Sequence, residues 1–427
     1  MAVPKREDRT KIWAWAFYDF ANSAFTTLVV TFIYSAYFTQ QIAENEVVGT
    51  ALWSRAVTIT AILVAILSPA LGAVADQGGL RKRLLLIFTV ISVLCTAMLF
   101  TALPGEVYLA LFWFIIADVA FEMGIVFNNA FLPDIAPKEK IGSISGFGWA
   151  FGYVGGLMAL FIALGMVFPA DAPFFGVPTE NGFNIRATNL LVAAWFAVFS
   201  IPLFVFVPEV HKKSEHSLRK IFRNSYKELV ATFHEMRRYR QILRFLVARL
   251  IYNDGLVTIF AFGGIYASGT FGFTFTEIIL FGIVLNVTAG VGAFIFGYVD
   301  DKIGAKQTVM ISIFGLGFAT VLAVLAPDKT LFWVSGIIVG IFSGPNQAAS
   351  RSLMARFVPD EKETEFFGFY AFSGKATAFL GPMLLGVLTE IWDSQRAGIA
   401  VLVLFFIAGA LLLMRVDEQE GMATAAK

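Results

Sequence analysis

The sequence predicts an all-α membrane protein in which twelve transmembrane helices form two pseudo-symmetric six-helix halves. Three observations predict it. Runs of about 20 apolar residues recur along the chain, each long enough to cross a hydrocarbon core of roughly 30 Å. Of the 427 residues, 58% are apolar and only 15% are charged, which lies outside the usual range of soluble domains. One signal also occurs twice, about half a chain apart: Gly72-Ala-Val-Ala-Asp76 followed by Arg81-Lys82-Arg83, and Gly297-Tyr-Val-Asp-Asp301-Lys302-Ile-Gly304-Ala-Lys306. In each copy a glycine permits close helix approach, and an Asp one turn later can cap a helix or pair with a base. The basic residues hold a short loop on the cytoplasmic side. A duplicated helix–loop–helix of this kind points to a two-halved transporter with these segments as gating loops.

Taken in order, the first six spans are expected at about 13–38, 52–75, 83–103, 106–131, 142–169 and 188–207. The second six are expected at about 242–267, 276–299, 307–326, 330–355, 364–389 and 396–415. The first span is too long for a signal-peptide core and contains Asp19 and Asn22, so it is read as a retained helix. The domains are therefore 1–207 for the N-terminal half, 208–241 for a basic linker, 242–415 for the C-terminal half and 416–427 for a tail. Lys5, Arg6, Arg9, Lys11, Arg81, Lys82, Arg83, Lys138, Lys140, Lys302, Lys306 and Lys362 fall on one side. The opposite loops hold little beyond Arg55, Arg186, Lys329 and Arg396, so both termini are expected in the cytoplasm and the protein in the plasma (inner) membrane.

The linker contains all three histidines, His211, His216 and His234, at no metal-ligand spacing. Leu218, Ile221, Phe222, Tyr226, Leu229, Val230 and Phe233 recur there at helical spacing, with Lys220, Arg223 and Lys227 between them. This is the pattern of an amphipathic helix on the inner membrane surface, with anionic lipid as its partner. A second repeat supports internal duplication: Pro137 precedes Gly146-Phe147 and Gly152 at the offsets by which Pro359 precedes Gly368-Phe369 and Gly374. Cys95 sits alone in an apolar run and reads as a small packed residue.

The twelve spans, central linker and duplicated Gly-x-x-x-Asp loops resemble the major facilitator superfamily. The first copy departs from the superfamily pattern, with Gln77 where a base is usual and an extra residue before Arg81. Tyr18-Asp19-Phe-Ala-Asn22-Ser23-Ala-Phe25 and Arg249-Leu-Ile-Tyr252-Asn253-Asp254-Gly255 are similar to the helix openings of its vacuolar-effluxer-like branch. That resemblance implies a secondary transporter whose eukaryotic relatives move amino acids out of vacuoles. It also implies that the first, fourth, seventh and tenth spans line a central cavity.

Polar groups in those spans need a partner or a task, because an ionisable group at mid-membrane costs a few kcal/mol on insertion scales. Asp118 and Glu122 share one face of the fourth span, with Asp118 about 18 Å from its outer end. Two carboxylates on one low-dielectric face do not readily both ionise, which suits a proton-coupling pair. The bland alternative pairs one with a base and leaves the other in a vestibule. Asp19 with Asn22, and Asp254 with Asn253, can hold an amine, while Arg249 can bind a carboxylate in two-pronged fashion. Alternatively, Arg249 pairs with an acid as an inner gate.

Lys375 lies about 18 Å from the inner end of the eleventh span and calls for Asp254, Glu122 or an anionic ligand as partner. In the tenth span Ser343-Gly344-Pro345-Asn346-Gln347 is expected to break the helix ladder, freeing Asn346 and Gln347 to reach a ligand or serving only as a kink. Asn128 and Asn129 read as vestibule residues, and Tyr18, Trp149, Tyr252 and Tyr370 as aromatic contacts among which sequence does not choose.

There is no phosphate-binding loop for ATP, no zinc spacing and no soluble domain of enzyme size, so no cofactor, catalysis or nucleic-acid partner is expected. The expected function is proton-coupled movement of a small polar or zwitterionic solute, such as an amino acid, by a monomer using alternating access. Export of hydrophobic drugs or lipids, and ligand sensing without flux, stand as alternatives.

Overall fold

The computed structural model describes residues 8–169, 173–209, 218–235 and 238–425. Lys5, Arg6, His211 and His216 lie outside those residues. The first half comprises α1 (Arg9–Ile42), α2 (Glu46–Gly78), α3 (Arg81–Thr101), α4 (Val107–Ile135), α5 (Ile141–Val167) and α6 (Phe183–Phe206). A linker helix, α7 (Leu218–Glu235), joins it to α8 (Arg240–Phe271), α9 (Phe275–Ile303), α10 (Ala305–Leu325) and α11 (Lys329–Phe357). The second half ends with α12 (Glu363–Lys375), α13 (Leu380–Trp392), α14 (Gln395–Met414) and a tail helix, α15 (Glu418–Ala425).

Eleven segments are long and apolar enough to cross a membrane, with α12 and α13 forming one of them. The twelfth long segment is α11, whose 29 residues include a polar second half. Ser343, Asn346, Ser350, Arg351 and Ser352 are buried there, so the polar stretch faces protein and not lipid. Cys95 is a free, buried thiol, as its apolar setting predicts. In the linker, Ile221 and Ser225 are buried against α2, where the Ser225 hydroxyl lies 3.3 Å from the Ala73 carbonyl, while Tyr226 is exposed.

Three spans differ from expectation. Within α1, Phe25–Phe32 and Phe38–Ile42 are π-helical. The Thr31 hydroxyl donates to the carbonyl of Thr26, five residues back, at 2.9 Å, which fits the wider winding. Conversely, Pro345 does not break α11. The Ile341 carbonyl, which a residue with an N–H at 345 would have engaged, abuts Gly292 of α9, where a Cβ would lie 2.2 Å away. Close packing takes up the lost bond. The break falls instead in the eleventh span, at residues 376–379 between α12 and α13. Side chains compensate for it. Arg249 donates to the Tyr370 carbonyl at 2.8 Å and Asn253 to the Gly374 carbonyl at 3.2 Å, while Thr377 donates to the Leu250 carbonyl at 2.9 Å. Irregular backbone at membrane depth persists only where it is satisfied in this way.

The two halves meet along two equivalent seams, α2 against α12 and α5 against α9. The repeated glycines make these seams close. A Cβ on Gly72 would stand 2.4 Å from the Thr364 carbonyl oxygen, and one on Gly146 would stand 2.4 Å from that of Ala293. Replacing Gly72 with Leu should therefore wedge the first seam apart. In a Cys95→Ser background, Cys introduced at buried Ser145 should be protected from an impermeant maleimide. Adding Gly72→Leu should make it reactive from the side bearing Arg81; continued protection would show that the seam tolerates the side chain.

Candidate functional site

Each seam is sealed by an acid from one half at the start of a helix from the other. The first four N–H groups of a helix have no partner within it, so a carboxylate there satisfies donors and meets the positive end of the helix dipole. Asp76, at the end of α2, accepts from Thr364 N at 3.2 Å and Glu365 N at 2.8 Å in the first turn of α12. Asp301, at the end of α9, accepts from Gly142 N at 2.8 Å and Ser143 N at 3.0 Å in the first turn of α5. Pro137 and Pro359 precede these capped turns by the same offsets, so the sequence repeat becomes a structural two-fold.

A buried arginine serves each cap, though not the one a strict repeat would supply. Arg81 has no exposure; its guanidinium lies 2.6 Å from Asp134, 2.9 Å from Glu363 and 3.6 Å from Asp76. The departure around Gln77 therefore does not deprive the first loop of its base. In the second half the base is Arg356, 2.7 Å from Asp300, 3.4 Å from Asp301 and 3.2 Å from Glu418. Lys302 makes no ion pair among the described residues, and Lys306 reaches only the Met414 carbonyl at 3.2 Å. Gly304 adopts φ +96°, a left-handed conformation that favours glycine at this turn into α10. Glu418 also accepts from Ala305 N and Lys306 N, both at 3.0 Å, as Glu209 accepts from Lys82 N at 2.7 Å in the first half.

Deeper in the bundle lies a lock that sequence reasoning missed. Arg351 of α11, 3% exposed, pairs with Asp19 of α1 at 2.8 Å. It also donates to Asn129 at 3.1 Å, to the Ser145 carbonyl at 2.8 Å and to the Ser145 hydroxyl at 2.9 Å. Its guanidinium stands over Trp15 at 4.7 Å and Trp149 at 5.6 Å, within cation–π range. Asn128 donates to the other Asp19 oxygen at 3.0 Å, so Asn128 and Asn129 belong to this lock. The available signal was Arg351 itself, a base in the otherwise spanning helix Lys329–Phe357. Asp19 is consequently neutralised by an arginine, and Asn22 is buried one turn further on.

Nearer mid-membrane, Lys375 of α12 reaches Glu122 of α4 at 2.6 Å, joining the halves. Asp118 lies one turn away on the same face, 7% exposed and without an ion pair among the described residues. Lys375 feels the charges of Glu122, Asp118 and Arg249, so two acids and two bases share this region. Arg249 is not the acid-paired gate allowed by the sequence. Its guanidinium carbon lies 3.7 Å from the centre of the Tyr370 ring and one nitrogen donates to Ser373 at 2.9 Å, while its Nε has no partner.

Other predicted residues are placed elsewhere. Asn346 donates to Ser312 of α10 at 2.9 Å inside the second half, whereas Gln347 crosses to Tyr153 at 3.3 Å. Tyr18 and Tyr252 are buried, their hydroxyls 2.8 Å from those of Thr89 and Ser350. Asp254 is 1% exposed against the break in the eleventh span and is not brought together with Asp19.

Among the described residues, the polar bonds between the halves lie from mid-membrane to the end bearing Arg81 and Lys306. None joins the halves at the opposite end. A two-fold pair of six-helix bundles, closed at one end around a charged central site, is the architecture of a major facilitator transporter. The fold agrees with solved members: the human organic anion transporter MFSD10 matches with a TM-score of 0.75 at 12% identity, over 96% of this chain and all (100%) of that one. The proton:xylose symporter XylE matches with a TM-score of 0.74 at 13% identity, over 97% and 96% of the two chains.

Residues 45–426 match the family model described as vacuole effluxer Atg22 like, and the chain belongs to that family. It is 29% identical to an uncharacterized MFS-type transporter, YxiO, of Bacillus subtilis across 95% of this chain and 94% of the relative. It is 20% identical to autophagy-related protein 22 of Yarrowia lipolytica, across 86% and 76%.

Removing one partner from a buried ion pair typically costs about 3–5 kcal/mol. Arg351→Ala and Asp19→Ala should each lower the unfolding midpoint of the purified protein. The double variant should lose less than the two single losses added together, by about 0.5–3 kcal/mol of coupling. Strict additivity would show that the lock contributes nothing as a pair.

Proposed function

We propose that the protein is a secondary active transporter that moves a small zwitterionic solute, an amino acid, across the plasma (inner) membrane by alternating access with proton coupling. The observation that carries this reading is the mid-membrane group of Asp118, Glu122, Arg249 and Lys375, contributed by both halves. Arg249, with no acid partner among the described residues, suits a substrate carboxylate, and Asp118, also without an ion pair, suits the coupling proton. Glu122 and Lys375 are the pair that protonation, or a competing carboxylate and ammonium, can separate. A permanently greasy cargo would leave these four charges without a task, which weighs against drugs or lipids.

Both termini are assigned to the cytoplasm on the distribution of Lys and Arg. With that orientation the sealed end is cytoplasmic, and the conformation is outward-facing. Opening inward requires the two acid caps, the Arg351–Asp19 lock and the Glu122–Lys375 pair to part. A typical helix cap contributes about 0.5–2 kcal/mol, so the caps form a seal that moderate binding energies can shift. The proposed domains are the two halves, 1–207 and 242–415, with 208–241 as linker and 416–427 as tail. Lys227 and Tyr226 are exposed on α7, which suits the proposed contact with anionic lipid.

Proteoliposomes preloaded with pooled unlabelled amino acids should show saturable counterflow of the labelled pool. Asp118→Asn with Glu122→Gln should retain counterflow and lose proton-driven accumulation. No counterflow with any amino acid would reject the zwitterion reading, and full accumulation by the double variant would reject these carboxylates as the coupling pair.

A further inference from the structure

The break in the eleventh span leaves one feature that neither packing nor the central charges use. Asp254 of α8 is 1% exposed, and only one of its carboxylate oxygens is engaged: Oδ2 accepts from Gly381 N, at the start of α13, at 3.2 Å. Its Oδ1 is buried without a partner among the described residues. A single backbone donor and the end of a half-helix do not offset the burial of a full negative charge. Among the described residues no base pairs with it. On its own helix Arg249 is turned to Tyr370 and Ser373, and on α12 Lys375 pairs with Glu122. From α14 the neighbours of Gly255, next to Asp254, are Phe405 and Phe406, and from α11 Ser350 holds the Tyr252 hydroxyl.

The surroundings of the free oxygen have a defined shape. Thr258, one turn along α8, donates its hydroxyl to the Asp254 carbonyl at 2.7 Å and so presents lone pairs to the same region. A Cβ built on Gly381 would lie 2.1 Å from Thr258 Oγ1 and 3.0 Å from Asp254 Oδ1, so both oxygens converge on one point beside a bare glycine. In transporters, small cations are held deep in the bundle where a spanning helix is interrupted and its unwound carbonyls act as ligands.

We propose that Asp254, with Thr258 and the backbone near Gly381, binds a small monovalent cation, a proton or a sodium ion, separately from Asp118 and Glu122. The site deepens the coupling part of the proposed function, giving the second half its own ion site. Occupation ties α13 to α8, and release leaves a charge that loosens the broken span.

The test is hydrogen–deuterium exchange of the full-length protein in lipid nanodiscs, read over the backbone amides from residue 376 to 385. Sodium, potassium and choline chloride are compared at matched ionic strength and at two pH values, with intrinsic exchange rates corrected. Exchange of this segment should slow about fivefold either on replacing choline with sodium or on acidifying in choline. The first result identifies sodium as the occupant and the second the proton. Asp254→Asn should remove the response, and Thr258→Val should weaken a sodium response while sparing a proton response. A wild-type segment indifferent to both sodium and pH would overturn the proposal, as would a response undiminished in Asp254→Asn. Because the measurement needs no transported solute, its result is independent of whether amino-acid counterflow is found.

Discussion

The fold depends on acids that cap helices across the midline. Asp76 and Asp301 each leave their own half to hold the first amides of a helix in the other, and much else follows from that exchange. An acid can reach the opposing amides only if the backbones touch, so glycine stands at Gly72, Gly146, Gly297 and Gly368 along the seams. A carboxylate buried beside other carboxylates needs a shared cation, so Arg81 and Arg356 are drawn in from different places in the sequence. The caps thus impose small residues on one side of each seam and a guanidinium on the other. These constraints hold together the closed end of the bundle.

Above the caps, the contacts between halves change character. At Arg351 the link is a fully engaged guanidinium, wedged between two indoles and surrounded by side-chain and backbone acceptors. At Lys375 it is one ammonium and one carboxylate, with a second acid nearby. The first arrangement resists exchange of partners because nearly every donor is placed. The second is poised for exchange, since an incoming charged group can take over either member. This gradient, from saturated to unsaturated polar groups, runs from the sealed end towards mid-membrane, where the solute is proposed to bind.

Much of this order was legible in the sequence. Twelve apolar segments, the duplicated loops and the matched spacing after Pro137 and Pro359 indicated the two-halved bundle. Glu122 was among the partners that the depth of Lys375 called for, with Asp254 and an anionic ligand as the others. What escaped was set by tertiary contact. The Pro345 helix stays whole because Gly292 of another helix meets the freed carbonyl. The eleventh span breaks just before Gly381-Pro382, where the proline leaves the Ala378 carbonyl without its helical donor, and Arg249 and Asn253 donate to its carbonyls from outside. Arg351 was overlooked since its partners, Asp19 and Ser145, lie far from it in the chain. The bases at Arg81 and Arg356 show the same limit: a repeat predicts where an acid sits more readily than which distant side chain serves it.

The duplication has also become unequal in a way that bears on assembly. Pro137 and Pro359 mark equivalent positions, so Asp134 corresponds to Arg356, and Glu363, which holds Arg81, corresponds to Ile141. A first half docked against a second copy of itself could still place Asp76 at Gly142 and Ser143. Its buried Arg81, however, would meet Ile141 where it needs a carboxylate. The mismatch penalises a homodimer of half-bundles and favours the joined pair, a form of discrimination built from a missing charge. Such asymmetry lets a fused duplicate retain its two-fold shape while each half recognises only the other.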